Sequence, residues 1–408
     1  MDQFPRIGLI DNLSNPDELT LRESYDASVS RYMAALGGNT GNLAFVYGAH
    51  KMVGSRMRRV GWGWTREAVR DVADVLLVTC ANQIGAHADL GGWADALERF
   101  DLPVVLVGLG AQTPNYEDDL AIPEGTLRFL RVVAAHRAGD SPNIGVRGVF
   151  TQQVLERLES ESLPLGCPSL YISPDVRLGR TIAQRSAATT VERVAVAAGN
   201  PYHLGNRAVE AKMRDLTDRY QGAYVVQHPD QIVGLALEQR GDEEKLTLIA
   251  SLLGFADADE CVAWFRRNAY SFHDSQTWMH TLRHYDVVVG ARYHGVAFGV
   301  QAGVPGMVLH IDNRTRELAA TTGIPSVGVG EIAELSHEEL VQRALWDDRA
   351  GLDFDRNRAV RAGRMVAFLE SNGIRPSEQL HSIAGTASEL GVAEVAEPAG
   401  VAGAEIER

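Results

Sequence analysis

Two side chains two positions apart, Arg292 and His294, carry the chemistry most readily read in this sequence. They stand in the run Asp286-Val-Val-Val-Gly290-Ala-Arg292-Tyr293-His294-Gly295. A guanidinium is charged at every physiological pH and forms paired hydrogen bonds with carboxylate or phosphate. An imidazole titrates near neutrality and can give or take a proton. In an extended loop, residues two apart face the same side. Together they suit a small dianion carrying a carboxylate and a phosphate. An arginine and a histidine in a loop are also often merely solvated, so their placement decides.

The elements around the pair supply that placement. Val287 to Val289 is an apolar, β-branched run that reads as a buried parallel strand, ended by Gly290. Gly295 to Ala302 has helical composition, and Gly303 and Pro305 stand where helices stop. Met307 to His310 reads as the next strand. In this βαβ unit Arg292 and His294 fall at a strand's carboxyl end and a helix's amino end. Open α/β sheets bind ligands there, and free N–H groups and the helix dipole favour an anion.

The rest of the chain repeats this alternation. Strand-like runs at Arg6–Ile10, Val75–Thr79, Pro103–Val107 and Ile144–Arg147 are separated by helical segments. A second series has strands at Val194–Ala198 and Ala223–Gln227 before the Asp286 unit. Residues 173–191 are polar and weakly periodic, so the boundary is placed there. The expectation is an α/β fold with two parallel-sheet domains. The first covers residues 1–172 and the second residues 190–335. Helices in 336–385 are long enough to pack back on the first domain, and Ala-, Gly- and Glu-rich residues 386–408 read as a disordered tail.

Polar residues at strand exits are candidates for holding hydroxyl groups. Asn82, Gln112 and Asn200 follow strands, as do Gln83 and Arg147, and Asn39 and Asn42 sit in a Gly-rich turn before a helix. For each asparagine or glutamine a local turn contact is the plainer alternative. Asp17 to Leu36 reads as a helix. Past the last major strand, Arg314 and Arg316 are solvated or add positive charge to a pocket, and Asn313 suits a helix cap.

Composition narrows the function classes. The net charge of −14 argues against nucleic acid or an anionic membrane surface as a partner, and local cations must hold any anionic ligand. Three scattered cysteines imply a reducing, cytoplasmic setting without a disulfide framework, and no metal-ligand spacing is visible. The first residues lack a signal-peptide pattern, and no apolar run approaches a membrane span. No metal and no cofactor is expected. The oligomeric state is left open.

The segment Val289-Gly-Ala-Arg292-Tyr-His294-Gly through Gly303-Val-Pro305 resembles the polysaccharide pyruvyl transferase family. Asn39-Thr-Gly41-Asn42, Leu76 to Asn82, Pro103 to Gly110, Ile144 to Arg147 and Gly166-Cys-Pro168 resemble it in the same order. The resemblance implies a two-domain, GT-B-like fold with Rossmann-like sheets facing a cleft. It also implies transfer of the three-carbon unit of phosphoenolpyruvate, as co-substrate, to hydroxyls of a sugar or sugar-like acceptor. The usual product is a pyruvate ketal, with phosphate released. In the family the Arg-x-His turn contacts phosphoenolpyruvate, which carries over to Arg292, Tyr293 and His294. Gly295 at the helix start and Arg314 complete the expected donor contacts, with Arg292 and His294 as the catalytic pair. Asn39, Asn42, Asn82, Gln112 and Asn200 are the expected acceptor contacts. Many members carry an acidic residue where this chain has Asn42, so no carboxylate role is expected there. Two other readings compete: a nucleotide-sugar glycosyltransferase with Glu317 on a ribose, and a non-catalytic anion-binding relative.

Overall fold

The computed structural model describes residues 5–14, 28–113, 120–203 and 207–392. Part of the expected Asp17–Leu36 helix and residues 393–408 of the expected tail lie outside these. Among the described residues the chain forms two six-stranded, wholly parallel sheets.

The first sheet contains β1 (Ile7–Ile10), β2 (Met57–Arg59), β3 (Val75–Thr79), β4 (Val104–Leu109), β5 (Ile144–Val146) and β6 (Leu163–Pro164), in the order β2-β1-β3-β4-β5-β6. The second contains β7 (Val194–Ala197), β8 (Ala223–Val225), β9 (Ala269–Tyr270), β10 (Val287–Gly290), β11 (Gly306–His310) and β12 (Ser326–Gly328). Its order, β9-β8-β7-β10-β11-β12, is the Rossmann order 3-2-1-4-5-6 counted within the sheet. Central strands β3, β4, β7 and β10 are buried along their whole length, as parallel strands covered on both faces must be. Strand order reverses at the β1/β3 pair in one lobe and the β7/β10 pair in the other. Ligands of such sheets bind outside the carboxyl ends of those strands.

Residues 173–191 are not the irregular stretch expected. They contain the Leu178–Ala187 helix, which packs on the long Asp348–Ser371 helix. The packing is close enough that a side chain at Gly179 would sit 2.1 Å from the Gly351 carbonyl. Asp355 accepts hydrogen bonds from the backbone N–H groups of Gly179 and Arg180 at 2.7 and 3.1 Å. Buried Arg358 donates to the carbonyls of Leu170, Ser173 and Asp175. The next helix, Glu378–Gly385, is reached through Gly54 and Ser377, whose backbone N–H groups bond to Arg375 and Met52. The chain thus returns to the first sheet's side after finishing the second. Among the described residues no helix is long and apolar enough to cross a membrane.

Candidate functional site

Strand β10 ends at Gly290, where the neighbouring strand leaves room only for glycine. A side chain at this position would meet the Ala197 carbonyl at 2.1 Å. Ala291 follows, and Arg292 takes an extended backbone as the cap of the Tyr293–Gln301 helix. The helix therefore begins at Tyr293 rather than Gly295, and Tyr293 and His294 lie in its first turn instead of an extended loop. Gly295 lets this turn press onto the sheet: an added Cβ would lie 2.7 Å from both the Ala197 Cβ and the Gln227 Nε2. The helix closes at Ala302, and Gly303 turns the chain with φ near 81° into β11.

Arg292 and His294 line one polar cavity, as the expected pairing requires. Its walls come from both lobes. Asn39 and Asn42 arrive from the turn before the Asn42–Met52 helix, Asn82 from the β3 exit and Arg147 from the β5 exit. Gln227 comes from the β8 exit and Arg314 from the first turn of the Asn313–Thr322 helix. The space they enclose is about 410 Å³ including its open mouth.

The cavity is strongly cationic. Arg147, Arg292 and Arg314 all face it, and no carboxylate is among its lining residues. The Arg292 Nε, Arg314 Nε and Gln227 Nε2 groups are buried and have no hydrogen-bond partner among the described residues. Buried N–H groups are nearly always paired, so three orphans around one space call for an acceptor-rich occupant. Burial, reinforced by the neighbouring Arg314 charge, pulls the Arg292 guanidinium down to about 10. Arg147 is depressed in the same direction by its burial. It is held in place by the carbonyls of Gly108 (2.8 Å) and Cys80 and by the Asn82 side-chain oxygen.

His294 is pushed well below the ordinary imidazole range by burial and then by Arg147 and Arg314. Its ring is therefore neutral at pH 7. The Nε2 atom lies 3.5 Å from the Cys167 Sγ, whose own neighbour is the Ser169 hydroxyl at 3.2 Å. The Phe45 ring packs against the imidazole, with ring centroids 5.6 Å apart. The three cysteines are free and buried.

Several expected residues sit elsewhere or do other work. Asn200 is not among the lining residues; its side-chain oxygen accepts from the Tyr202 N–H at 3.1 Å and closes a local turn. Gln112 stands behind the cavity and accepts from the Asn82 amide at 3.1 Å. Asn42 lines the cavity, but its amide donates to the carbonyls of Leu36 and Gly37 and clamps the turn. Asn39 caps the same turn by accepting from the Gly41 N–H at 2.8 Å. Asp312, not Asn313, caps the next helix, and the Asn313 amide reaches across to the Thr113 hydroxyl. Glu317 is neither on the surface nor open to a ribose; it is buried against the first lobe.

Arg147 and Gln227 are the polar cavity residues that the spacing assigns no donor or acceptor contact. Arg147 carried a signal as a charged strand tip. Gln227 carried a weaker one, as the last residue of an apolar strand.

The sequence profile of the polysaccharide pyruvyl transferase family matches residues 8–313, more than half of the chain. The chain belongs to the polysaccharide pyruvyl transferase family. The matched span runs from within β1 through β11 and includes all of the cavity's lining residues except Arg314 and Leu318. The chain is also similar to a solved structure of Glycyrrhiza uralensis UGT73P12 complexed with glycyrrhetinic acid 3-O-monoglucuronide. That similarity is at 11% identity, covers 95% of this chain and 96% of that one, and has a TM-score of 0.37. No curated protein matches the sequence.

Proposed function

We propose that this pyruvyl transferase family member takes its three-carbon unit from phosphoenolpyruvate, bound in the Arg292–His294 cavity, and attaches it to hydroxyls of a sugar-like acceptor. The observation that carries the reading is the set of three buried N–H groups, from Arg292, Arg314 and Gln227, that surround one small cavity and have no partner among the described residues. Phosphoenolpyruvate carries a carboxylate and a phosphate on three carbons, and arginine is suited to both. Arg292 clamps the donor, Arg314 and Arg147 offset charge on the phosphate, and the first-lobe residues Asn39, Asn42 and Asn82 face the acceptor.

His294 is neutral at pH 7, so it must first take up the proton that it donates. Binding a dianion beside the ring raises its proton affinity. The imidazole takes up a proton and delivers it to the methylene carbon, forming a C–H bond and an oxocarbenium-like centre at C2. An acceptor hydroxyl adds to C2 and returns its proton to the ring. The C2–O bond to phosphate then breaks, and its electron pair leaves with the phosphate, stabilised by the arginines. A second hydroxyl closes the ketal and passes its proton to the departing phosphate.

The glycosyltransferase alternative loses its ribose contact, because both Glu317 oxygens are engaged by Thr151. The test is mass spectrometry of an acceptor library incubated with the protein and phosphoenolpyruvate. A product heavier than its acceptor by the three-carbon unit, with stoichiometric phosphate release, supports the reading. Transfer of a sugar from UDP- or GDP-sugars instead would reject it.

A further inference from the structure

Beside the donor cavity lies a larger groove, about 1240 Å³ including its open mouth, at the point where strand order reverses in the first sheet. Asp11 and Asn12 reach it from the exit of β1 and Gln83 from the exit of β3. Parallel sheets place ligands at this crevice. The second lobe uses its own reversal point, at the β10 exit, for Arg292 and His294.

Three indoles line the groove: Trp62, Trp64 and Trp93. The rings of Trp62 and Trp93 stack with centroids 4.4 Å apart, and Trp93 meets the edge of Phe129 in the core at 5.9 Å. Trp64 is 39% exposed, and its ring lies over Gly61. The loop is held firmly: the Arg99 guanidinium donates to the carbonyls of Trp62 (2.6 Å) and Trp64 (3.2 Å). Three such rings in one groove make an apolar platform rather than scattered surface residues. Its polar rim is the paired Asp11–Arg59 contact, at 2.6 and 3.0 Å, with Asn12 and Gln83.

An apolar floor with a rim of donors and acceptors is the complement of a pyranose ring. The ring has a C–H face that packs on an indole and hydroxyls that need hydrogen-bond partners. The groove and the donor cavity share no lining residue, but neighbouring residues line the two. Gln83 lines the groove and Asn82 lines the cavity. Gly37 lines the groove, and its carbonyl accepts from Asn42, which lines the cavity. We propose that this tryptophan groove is the acceptor subsite, and that it seats a pyranoside ring with its hydroxyls turned toward His294. The proposal rests on reading the neighbouring cavity as the donor site.

The test is saturation-transfer NMR on the full chain with a panel of methyl glycopyranosides, with UDP as a separate probe. Trp64→Ala and the double variant Trp62→Ala/Trp64→Ala are measured beside the wild type, and phosphoenolpyruvate binding to each is followed by calorimetry. The expected result is transfer to the ring protons of at least one glycoside. Its affinity should fall roughly tenfold in the variants, the scale of losing an aromatic face. Unchanged phosphoenolpyruvate affinity would show that the variants remain folded. Equal glycoside binding in all three proteins, or none to any of them, would overturn the proposal. Stronger transfer to the uracil ring than to any glycoside would overturn the saccharide assignment. Loss of phosphoenolpyruvate binding in the wild type would instead strike the donor reading, while the glycoside arm is still read.

Discussion

Glu317 in the second lobe accepts hydrogen bonds from both the backbone N–H and the hydroxyl of Thr151 in the first, at 2.7 and 2.8 Å. Thr151 lies in the first turn of the Val149–Arg157 helix, where a carboxylate also meets the positive end of the dipole. The contact fastens the two sides of the cleft next to Arg147 and Arg314. Burial nevertheless lifts the Glu317 carboxyl to about 7, against the pull of its hydrogen bonds with Thr151.

The sign of the resulting pH dependence is fixed. The unfolded carboxyl titrates near 4.3, so between there and about 7 the folded state holds more of this proton. Its contribution to stability is complete below the unfolded value and is lost as pH rises through 7. Glu317→Gln should flatten the fall in melting temperature between about pH 5 and pH 8. Glu317→Ala leaves a buried N–H unpaired and should destabilise by about 1–3 kcal/mol. Differential scanning calorimetry across pH checks both, and a Gln variant with the wild-type slope would contradict the assignment.

Proton uptake should accompany donor binding. His294 is neutral in the free protein, so a dianion that raises its affinity for a proton draws one from solvent. Calorimetric titration of phosphoenolpyruvate in buffers of different ionisation enthalpy measures this directly. Wild type should take up a fraction of a proton near pH 7, and that uptake should vanish in His294→Gln. His294→Ala should also reduce turnover by ~100-fold or more. Near-wild-type turnover in that variant would remove His294 from the chemistry.

Gly295 should tolerate no side chain. An added Cβ would lie 2.7 Å from the Ala197 Cβ and from the Gln227 amide nitrogen, and the Ala197 atom is fixed to strand β7. Gly295→Ala should cost about 1–3 kcal/mol of stability through overpacking, and should weaken donor binding by displacing Gln227. Chemical denaturation and calorimetry measure the two effects separately. A variant as stable as wild type would show that the strand gives way.

Much of this arrangement was legible in local sequence. The β-branched run before Gly290 and the Gly303-Val-Pro305 stop bracket the helix, and the alternation of strands and helices specifies parallel sheets. The helix starts two residues before the expected Gly295, because Arg292 has no capping side-chain signature although its extended backbone caps the helix. Edge strands such as β2, with its two exposed arginines, carry no apolar run to reveal them. The places of Gln227 and Arg147 in the cavity wall and the grouping of Trp62 with Trp93 depend on contacts between distant segments. No local spacing encodes those. Glu317 shows the same limit: a glutamate in a helix's first turns reads as solvated until a second lobe covers it.

The cationic wall gives a graded expectation. Arg314→Ala removes a charge whose Nε has no partner among the described residues and whose Nη2 bonds to Asp312 at 3.2 Å within the same turn, so it should weaken phosphoenolpyruvate more than it destabilises the fold. Arg147→Ala also strands the carbonyls of Gly108 and Cys80, so it should lower the melting temperature as well. Thermal unfolding with and without phosphoenolpyruvate separates the two. An Arg314 variant that binds as tightly as wild type would place the phosphate elsewhere.

The most direct measurement is a calorimetric titration of phosphoenolpyruvate into the wild-type protein and into Arg292→Lys. Lysine keeps the charge but loses the fork of donors, so the affinity should fall by roughly tenfold or more, the scale of one charge-assisted hydrogen bond. UDP-glucose, titrated in parallel, should give no heat of binding. Phosphoenolpyruvate that fails to bind the wild type, or that binds Arg292→Lys equally well, would contradict the account.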